Sequence, residues 1–240
     1  MENKNEENYE GIKVITRKDG TKYSIRVDRH RYFFPHEWNK FINSFKKGSK
    51  HYMFFLTLLH TGARAMEALH LRVCNFDFQR GTITFDIVKE RVAKKRFSSL
   101  AKKRIFFVSE NYLREVAKYI KQNNLKENDF LFLDNSKLPP NYLSLTNSEK
   151  KKFYKKREIN YCFLLKRRLK KIGIKDWYNF SLHNIRKTYA NWMRIYDIRT
   201  EELCYRLGHD LETFQTNYGS TIIFSPEEKV EIMRIFGKIK

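Results

Sequence analysis

The sequence predicts a mainly helical α+β fold with a small antiparallel sheet. Apolar residues recur at helical spacing through most of the chain, while only a few short stretches alternate apolar and polar. A hydrophobic content of 41%, with 20 Phe and 14 Tyr among 240 residues, is ample for one large core. Residues 33–240 read as a single domain, preceded by an N-terminal arm over residues 1–32 that contains a β-hairpin.

The elements follow in order. Gly11–Val27 reads as two short strands around the turn Lys18-Asp19-Gly20-Thr21, because Asp-Gly is a strong hairpin signal. The basic residues of this hairpin either touch a polyanion or ride on an edge packed against the main domain. From Pro35 the pattern turns helical, with Trp38, Phe41, Ile42 and Phe45 on one face and a break at Gly48-Ser49. His51–His60 is apolar nearly all round, which marks a central buried helix. Gly62 follows as its C-cap and Arg64 opens the next helix. Thr82–Val88 and Arg104–Val108 read as neighbouring antiparallel strands joined by a long basic loop. Ser109 caps a helix with Leu113, Val116, Ala117 and Ile120 on one face. Phe130–Leu133 is a short buried run. Glu149–Ile172 is a long basic helix, with a break possible along it, that turns Cys162, Leu165, Leu169 and Ile172 inward and stops at Gly173. A last amphipathic helix, Pro226–Phe236, has Val230, Met233 and Ile235 among its apolar residues.

The formal net charge of +22, from 49 Lys and Arg against 27 Asp and Glu, points to a polyanionic partner. Much of it sits in two runs. Lys89–Arg104 holds eight cations against one acid, and Lys150–Lys171 holds eleven against one. Charge runs often mark plain solvated faces, yet two this concentrated favour phosphate contact. The candidate contacts are Lys94, Lys95, Arg96, Lys102, Lys103, Lys155, Lys156, Arg157, Arg167 and Arg168, with those of the long helix directed outward. A membrane is the weaker partner: the longest apolar run, Tyr52–Leu59, is too short to span, and no signal peptide opens the chain. Cys74, Cys162 and Cys204 are odd in number and match no zinc spacing, so they read as reduced thiols of a cytoplasmic protein.

The stretch Ser181–Tyr218 organises the candidate site. His183 and Arg186 are one helical turn apart and share a face, with Ser181 as N-cap. Leu182, Ile185, Tyr189, Trp192 and Met193 form the apolar stripe that fixes the helix, and Arg186 is placed on its exposed side. His209 and Tyr218 follow nine residues apart. Upstream, Arg64 stands at the junction of a buried helix and a tight turn, where a guanidinium needs a partner; Glu67, one turn on, and a bound phosphate are the two choices.

These segments carry a resemblance. HNIR at 183–186 resembles the H-x-x-R box of the tyrosine recombinase (phage integrase) family, LGHDLETFQTNY at 207–218 its LGH…Y box, and TGARAMEAL at 61–69 its first arginine box. The resemblance implies the tyrosine-recombinase catalytic fold with the small sheet at one edge. It implies a site-specific recombinase or integrase of a mobile element, in which Tyr218 attacks the phosphorus and Arg64 and Arg186 hold the non-bridging oxygens. His209 adds a hydrogen bond, His183 serves as base toward Tyr218, and Glu67 supports the site. A lysine on the sheet hairpin acts as general acid: Lys89 is the first choice, with Lys94 and Lys95 as competitors because the loop is long. Double-stranded DNA is the implied partner, bound by a homo-oligomer, a tetramer, and the protein is expected to be cytoplasmic and DNA-associated. With two arginines and a lysine on the phosphate, no metal, ATP or other cofactor is expected.

Two features depart from the family. Residues 1–32 leave no room for the helical DNA-binding domain that its usual members carry, and Lys187 stands where many relatives have a second His. Two other functions remain open: nicking and resealing of the type IB topoisomerase kind, and a non-catalytic DNA-binding relative.

Overall fold

A computed structural model describes residues 12–16, 22–26, 32–86, 103–218 and 224–238. Strand β1 (Ile12–Thr16) pairs antiparallel with β2 (Lys22–Arg26), Thr16 facing Lys22, as the Asp-Gly signal predicts. The helices α1 (Pro35–Asn43), α2 (Lys50–Thr61) and α3 (Ala65–Leu69) follow. Next comes a three-stranded antiparallel sheet of β3 (Phe76–Asp77), β4 (Thr82–Asp86) and β5 (Lys103–Phe107), in the order β3-β4-β5. Helices α4 (Glu110–Gln122), α5 (Asn147–Lys171), α6 (Leu182–Met193), α7 (Thr200–Leu207), α8 (Leu211–Tyr218) and α9 (Pro226–Phe236) complete the chain.

Helix α2 is the hub. Met53 through Thr61 are buried without a break, so the helix is covered on every side. Ser49 caps its start, its side chain accepting from the Tyr52 N–H, and Gly62 ends it in the left-handed region at φ 60°. Phe41 and Phe45 of and after α1 pack on Phe55, and Tyr161 of α5 stacks on Phe54 with ring centroids 3.7 Å apart. Each such ring buried stabilises the fold by about 1.5–3 kcal/mol. Helix α6 packs along α2 and also ties down the entry of the domain. There, Thr188 Oγ1 accepts from the Phe33 N–H at 2.8 Å and Trp192 Nε1 donates to the Phe33 carbonyl at 3.1 Å.

Several expectations are refined. The long helix is unbroken and starts two residues early, because Thr146 and Glu149 form a reciprocal cap: Glu149 accepts from the Thr146 N–H at 2.8 Å and Thr146 Oγ1 from the Glu149 N–H at 3.3 Å. In α4 the buried face is Tyr112, Leu113, Val116 and Tyr119, while Ala117 is exposed. The larger tyrosines reach into the core, Tyr112 donating to Thr57 Oγ1 and Tyr119 to the Leu131 carbonyl. In α9 the i, i+4 pair Ile232 and Phe236 is fully buried, and Val230 and Met233 are exposed. Phe236 lies against the rings of His60, Tyr189, Trp192 and Tyr196, so this last helix packs on its own domain.

The cations of α5 do not all point outward. Arg157 turns back to donate to the Phe132 carbonyl at 2.9 Å, and the Arg168 guanidinium lies 4.9 Å from the centre of the Phe45 ring. Both are half-buried, since their long stems cover apolar surface before the charge finds a partner. Lys155 is exposed but paired with Glu158 at 2.8 Å; Lys156, Arg167 and, on β5, Lys103 are exposed. Lys94, Lys95, Arg96 and Lys102 lie outside the described residues. No described helix is long and apolar enough to cross a membrane.

Candidate active site

The local sequence dictates where each cation stands. The left-handed turn at Gly62 ends α2 and lets the chain start α3 at once, with Arg64 in the extended N-cap position. A Cβ on residue 62 would clash with the Tyr189 ring, so the turn is pressed directly onto α6. Glu67 then reaches back: its carboxylate accepts from the Arg64 N–H at 2.7 Å and from Arg64 Nη1 at 3.0 Å. On α6, Asn184 Oδ1 accepts from the Ser181 N–H at 2.8 Å and fixes the first turn, from which His183 projects. Helix α7 ends at Gly208, and the next residue, His209, donates its backbone N–H to the Cys204 carbonyl at 2.9 Å.

These segments converge. Arg64, His183, Arg186 and His209 line one cleft of about 490 Å³, together with Arg104 and Glu158. Four of the residues named from the sequence thus line the same cleft. Tyr218 is the last residue of α8, a helix packed on α6 and α7; its side chain lies outside what is described. Lys89 also lies outside the described residues. The last described pair of β4 and β5, Asp86 with Lys103, is next to Arg104, which itself lines the cleft.

Arg186 corrects an expectation. It is 1% exposed rather than on an open face. Its guanidinium donates through Nη1 to the Gly62 carbonyl at 2.6 Å and through Nη2 to the Leu207 carbonyl. One side chain thereby joins the turn that carries Arg64 to the turn that carries His209. The planar fork of an arginine, with its donors on separate nitrogens, suits two carbonyls placed in this way.

Behind the cleft, Glu67 is shared by three arginines, with Arg104 Nη2 at 2.8 Å, Arg64 Nη1 at 3.0 Å and Arg186 Nη1 at 3.9 Å. Burial alone would raise its pKa, but Arg104, Arg186 and Arg64 outweigh that and hold the carboxyl below the usual range. Arg104 also donates to the Arg206 carbonyl, which ties β5 to α7. The sequence reading assigned no site role to Arg104 or Glu158. For Arg104 a signal existed: in Arg104–Val108 the alternate positions 104, 106 and 108 are the buried ones, and a cation at an inward strand position calls for a buried partner. Glu158 is the lone acid in the eleven-cation run.

His183 is solvent-exposed at the cleft mouth, yet desolvation against the wall, then the nearby Arg186, Lys187 and Arg64, push its pKa down to about 4. Its imidazole is therefore neutral at pH 7 and able to accept a proton. Among the described residues no group of three or more His, Cys, Asp or Glu side chains is placed to hold a metal ion.

Comparison with known proteins bears on the family and the fold. The model of the phage integrase family matches residues 33–219. No curated protein sequence matches. Among solved structures, XerA recombinase superposes with a TM-score of 0.55 at 18% identity, over 85% of this chain and 64% of that one. The Tn1549 transposon integrase in complex with circular intermediate DNA gives 0.58 at 21%, over 87% and 68%. XerH site-specific recombinase bound to difH substrate gives 0.55 at 15%, over 86% and 56%. The likeness at these identities is one of fold, and the chain spans less than two thirds of the XerA and XerH chains.

Proposed function

This chain belongs to the phage integrase family, and we propose that it is a site-specific DNA recombinase that cuts and rejoins strands through a covalent 3′-phosphotyrosyl intermediate. The observation that carries this reading is the meeting of Arg64, His183, Arg186 and His209 in one cleft, on the elements that bear the three family boxes.

The chemistry uses these groups in turn. The Tyr218 oxygen attacks the scissile phosphorus, the bond from phosphorus to the 5′ oxygen breaks, and a phosphotyrosyl ester replaces the phosphodiester. A tyrosine hydroxyl with an ordinary pKa of about 10 needs help to lose its proton at neutral pH. Neutral His183 takes it, and nearby cations favour the phenolate. Arg64, whose side chain is about a third exposed, turns toward the non-bridging oxygens while Glu67 fixes its Nη1. Arg186 lines the same cleft and adds its charge there, and His209 donates a hydrogen bond. The proton for the departing 5′ oxygen comes from the β4–β5 loop, from Lys89, with Lys94 and Lys95 as the alternatives.

One ester is exchanged for another, so a 5′ hydroxyl on a second strand reverses the steps without ATP. The cationic cleft meets the developing charge without a divalent ion. In this reading residues 33–240 form the catalytic domain and 1–32 an arm, and a tetramer assembles on double-stranded DNA.

The test is incubation with labelled duplexes, nicked beside the joining point of the host element, with and without EDTA. A covalent protein–DNA band that survives EDTA and is lost in Tyr218→Phe is expected. A band of wild-type strength in Tyr218→Phe overturns the assignment. Recombined products from paired sites, rather than relaxed supercoils alone, separate a recombinase from a topoisomerase.

A further inference from the structure

A second cleft of about 490 Å³ opens where the start of α2 meets the middle of α5. Lys50, His51, Lys156, Arg157 and Arg167 line it, and the buried ring of Tyr161, stacked on Phe54, forms part of its wall. No carboxylate is among the described residues lining it. The acid that attracts Lys50, Asp134, is itself paired with Lys137 at 3.2 Å.

The cations here are held in place. Arg157 Nη1 donates to the Phe132 carbonyl at 2.9 Å and Lys50 Nζ to the next carbonyl, Leu133, at 3.4 Å. Both partners belong to the buried run Phe130–Leu133, so two charges are fixed by one rigid backbone segment. Their crowding has an electrostatic consequence. Burial, then Arg157, lower the pKa of Lys50 against the pull of Asp134. Burial, then Arg168, Lys50, Arg157 and Arg167, lower that of His51. Folding thus gathers like charges into a concave, partly desolvated space, and a bound anion offsets that repulsion.

We propose that this cleft is a phosphate-binding site, separate from the candidate active cleft. A tetrahedral oxyanion suits it, because the guanidinium of Arg167 offers a planar fork and the lysines offer point charges around a single centre. The phosphate has two possible sources: a backbone phosphate of a bound duplex, or a free phosphate compound. The first rests on the DNA-binding reading above and is consistent with the distances. Helix α2, with 12 residues, separates the two clefts, one at its start and one past its end. That length is about 18 Å at 1.5 Å per residue. It corresponds to roughly five base pairs at 3.4 Å each, a separation that lies within the length of one duplex.

The experiment compares the full chain with Lys156→Ala and Arg167→Ala, two exposed positions where folding is expected to survive. Lys151→Ala and Lys152→Ala, also exposed and on the same helix but outside the cleft, remove the same charge and serve as controls. In the first arm, inorganic pyrophosphate is titrated calorimetrically, with citrate as a carboxylate comparison. Cleft variants should bind pyrophosphate about tenfold or more weakly, as loss of a charged hydrogen bond predicts, with the controls near wild type. In the second arm, duplex affinity is measured against salt. Loss of one backbone contact should make the slope of log K on log[salt] shallower by about 0.9 in the cleft variants alone. A change in the second arm identifies the duplex as the source, and a change confined to the first identifies a free phosphate compound. Cleft and control variants that behave alike in both arms overturn the site, and citrate bound as tightly as pyrophosphate overturns its phosphate character. The covalent-adduct assay on the same wild-type preparation keeps the two readings apart, since failure there leaves the pyrophosphate arm intact.

Discussion

Glu67→Gln is the sharpest test of how this cleft is held. The substitution keeps the shape of the side chain and removes the one negative charge among Arg64, Arg104 and Arg186. Glu67, Arg104 and Arg186 have side chains only 1%, 3% and 1% exposed, so the arginines left behind cannot turn to water. Removing one partner of such a buried set costs about 3–5 kcal/mol. Arg64, at 31% exposure, adds no more than a surface pair, about 0–1 kcal/mol. The loss is a large share of the roughly 5–15 kcal/mol that stabilises a typical domain. Urea unfolding at pH 7 should show a lower midpoint with unchanged slope, and the melting temperature should fall by roughly 6–20 °C. The pH dependence has a definite sign. The arginines hold the folded carboxyl below its ordinary value of 4.5, so its stabilisation is complete above that value and is lost as pH falls through the folded pKa. The gap between wild type and Glu67→Gln should therefore close in acid. Adding Arg104→Met to Glu67→Gln removes a stranded cation, and the double variant should lose less than the sum of the singles by about 0.5–3 kcal/mol. A Glu67→Gln protein within about 0.5 kcal/mol of wild type, or strict additivity, would refute the shared-carboxylate account.

Three further outcomes follow from the same geometry. Gly62→Ala should destabilise by roughly 2–4 kcal/mol in urea unfolding, from its positive φ plus the clash with Tyr189, whereas Gly173→Ala, with no atom within 4 Å of its Cβ, should lose only about 1 kcal/mol; equal effects would contradict this. Arg186→Lys should destabilise by about 1–3 kcal/mol, because one ammonium nitrogen cannot stand at both the Nη1 and Nη2 positions that meet the Gly62 and Leu207 carbonyls, and an unshifted urea midpoint would argue against that bridge. His60 is fully buried against Tyr112, with Nδ1 2.9 Å from Ser109 Oγ, and burial lowers its pKa from 6.5 to about 3. Between those values the unfolded chain holds the extra proton, so stability should drop as the pH is lowered, by up to about 1.4 kcal/mol per unit, a slope that is absent if the ring titrates normally.

The parts of this molecule that the sequence makes legible are those whose partners are local or whose burial is complete. Helix α2 could be read because every side is apolar, and its end because Gly62 and Arg64 follow at once. The three-arginine cluster on Glu67 could be read only in part. Arg64 is one turn away, but Arg104 comes from strand β5, far along the chain, and no periodicity announces which carboxylate it meets. Arg186 is the instructive case, since two helical relations pull its placement in opposite directions. Its i+3 relation to His183 places both near one face and suggests an exposed cation. At 100° per residue, however, Arg186 lies only about 20° from Met193 and about 40° from Leu182, both buried, so it sits on the flank of the apolar stripe. A guanidinium on that flank must be desolvated, and the acceptors it finds are the carbonyls of two turns, Gly62 and Leu207. Those turns carry Arg64 and His209. The burial that the helical face count overlooked is thus what brings three separate boxes of the sequence to one cleft.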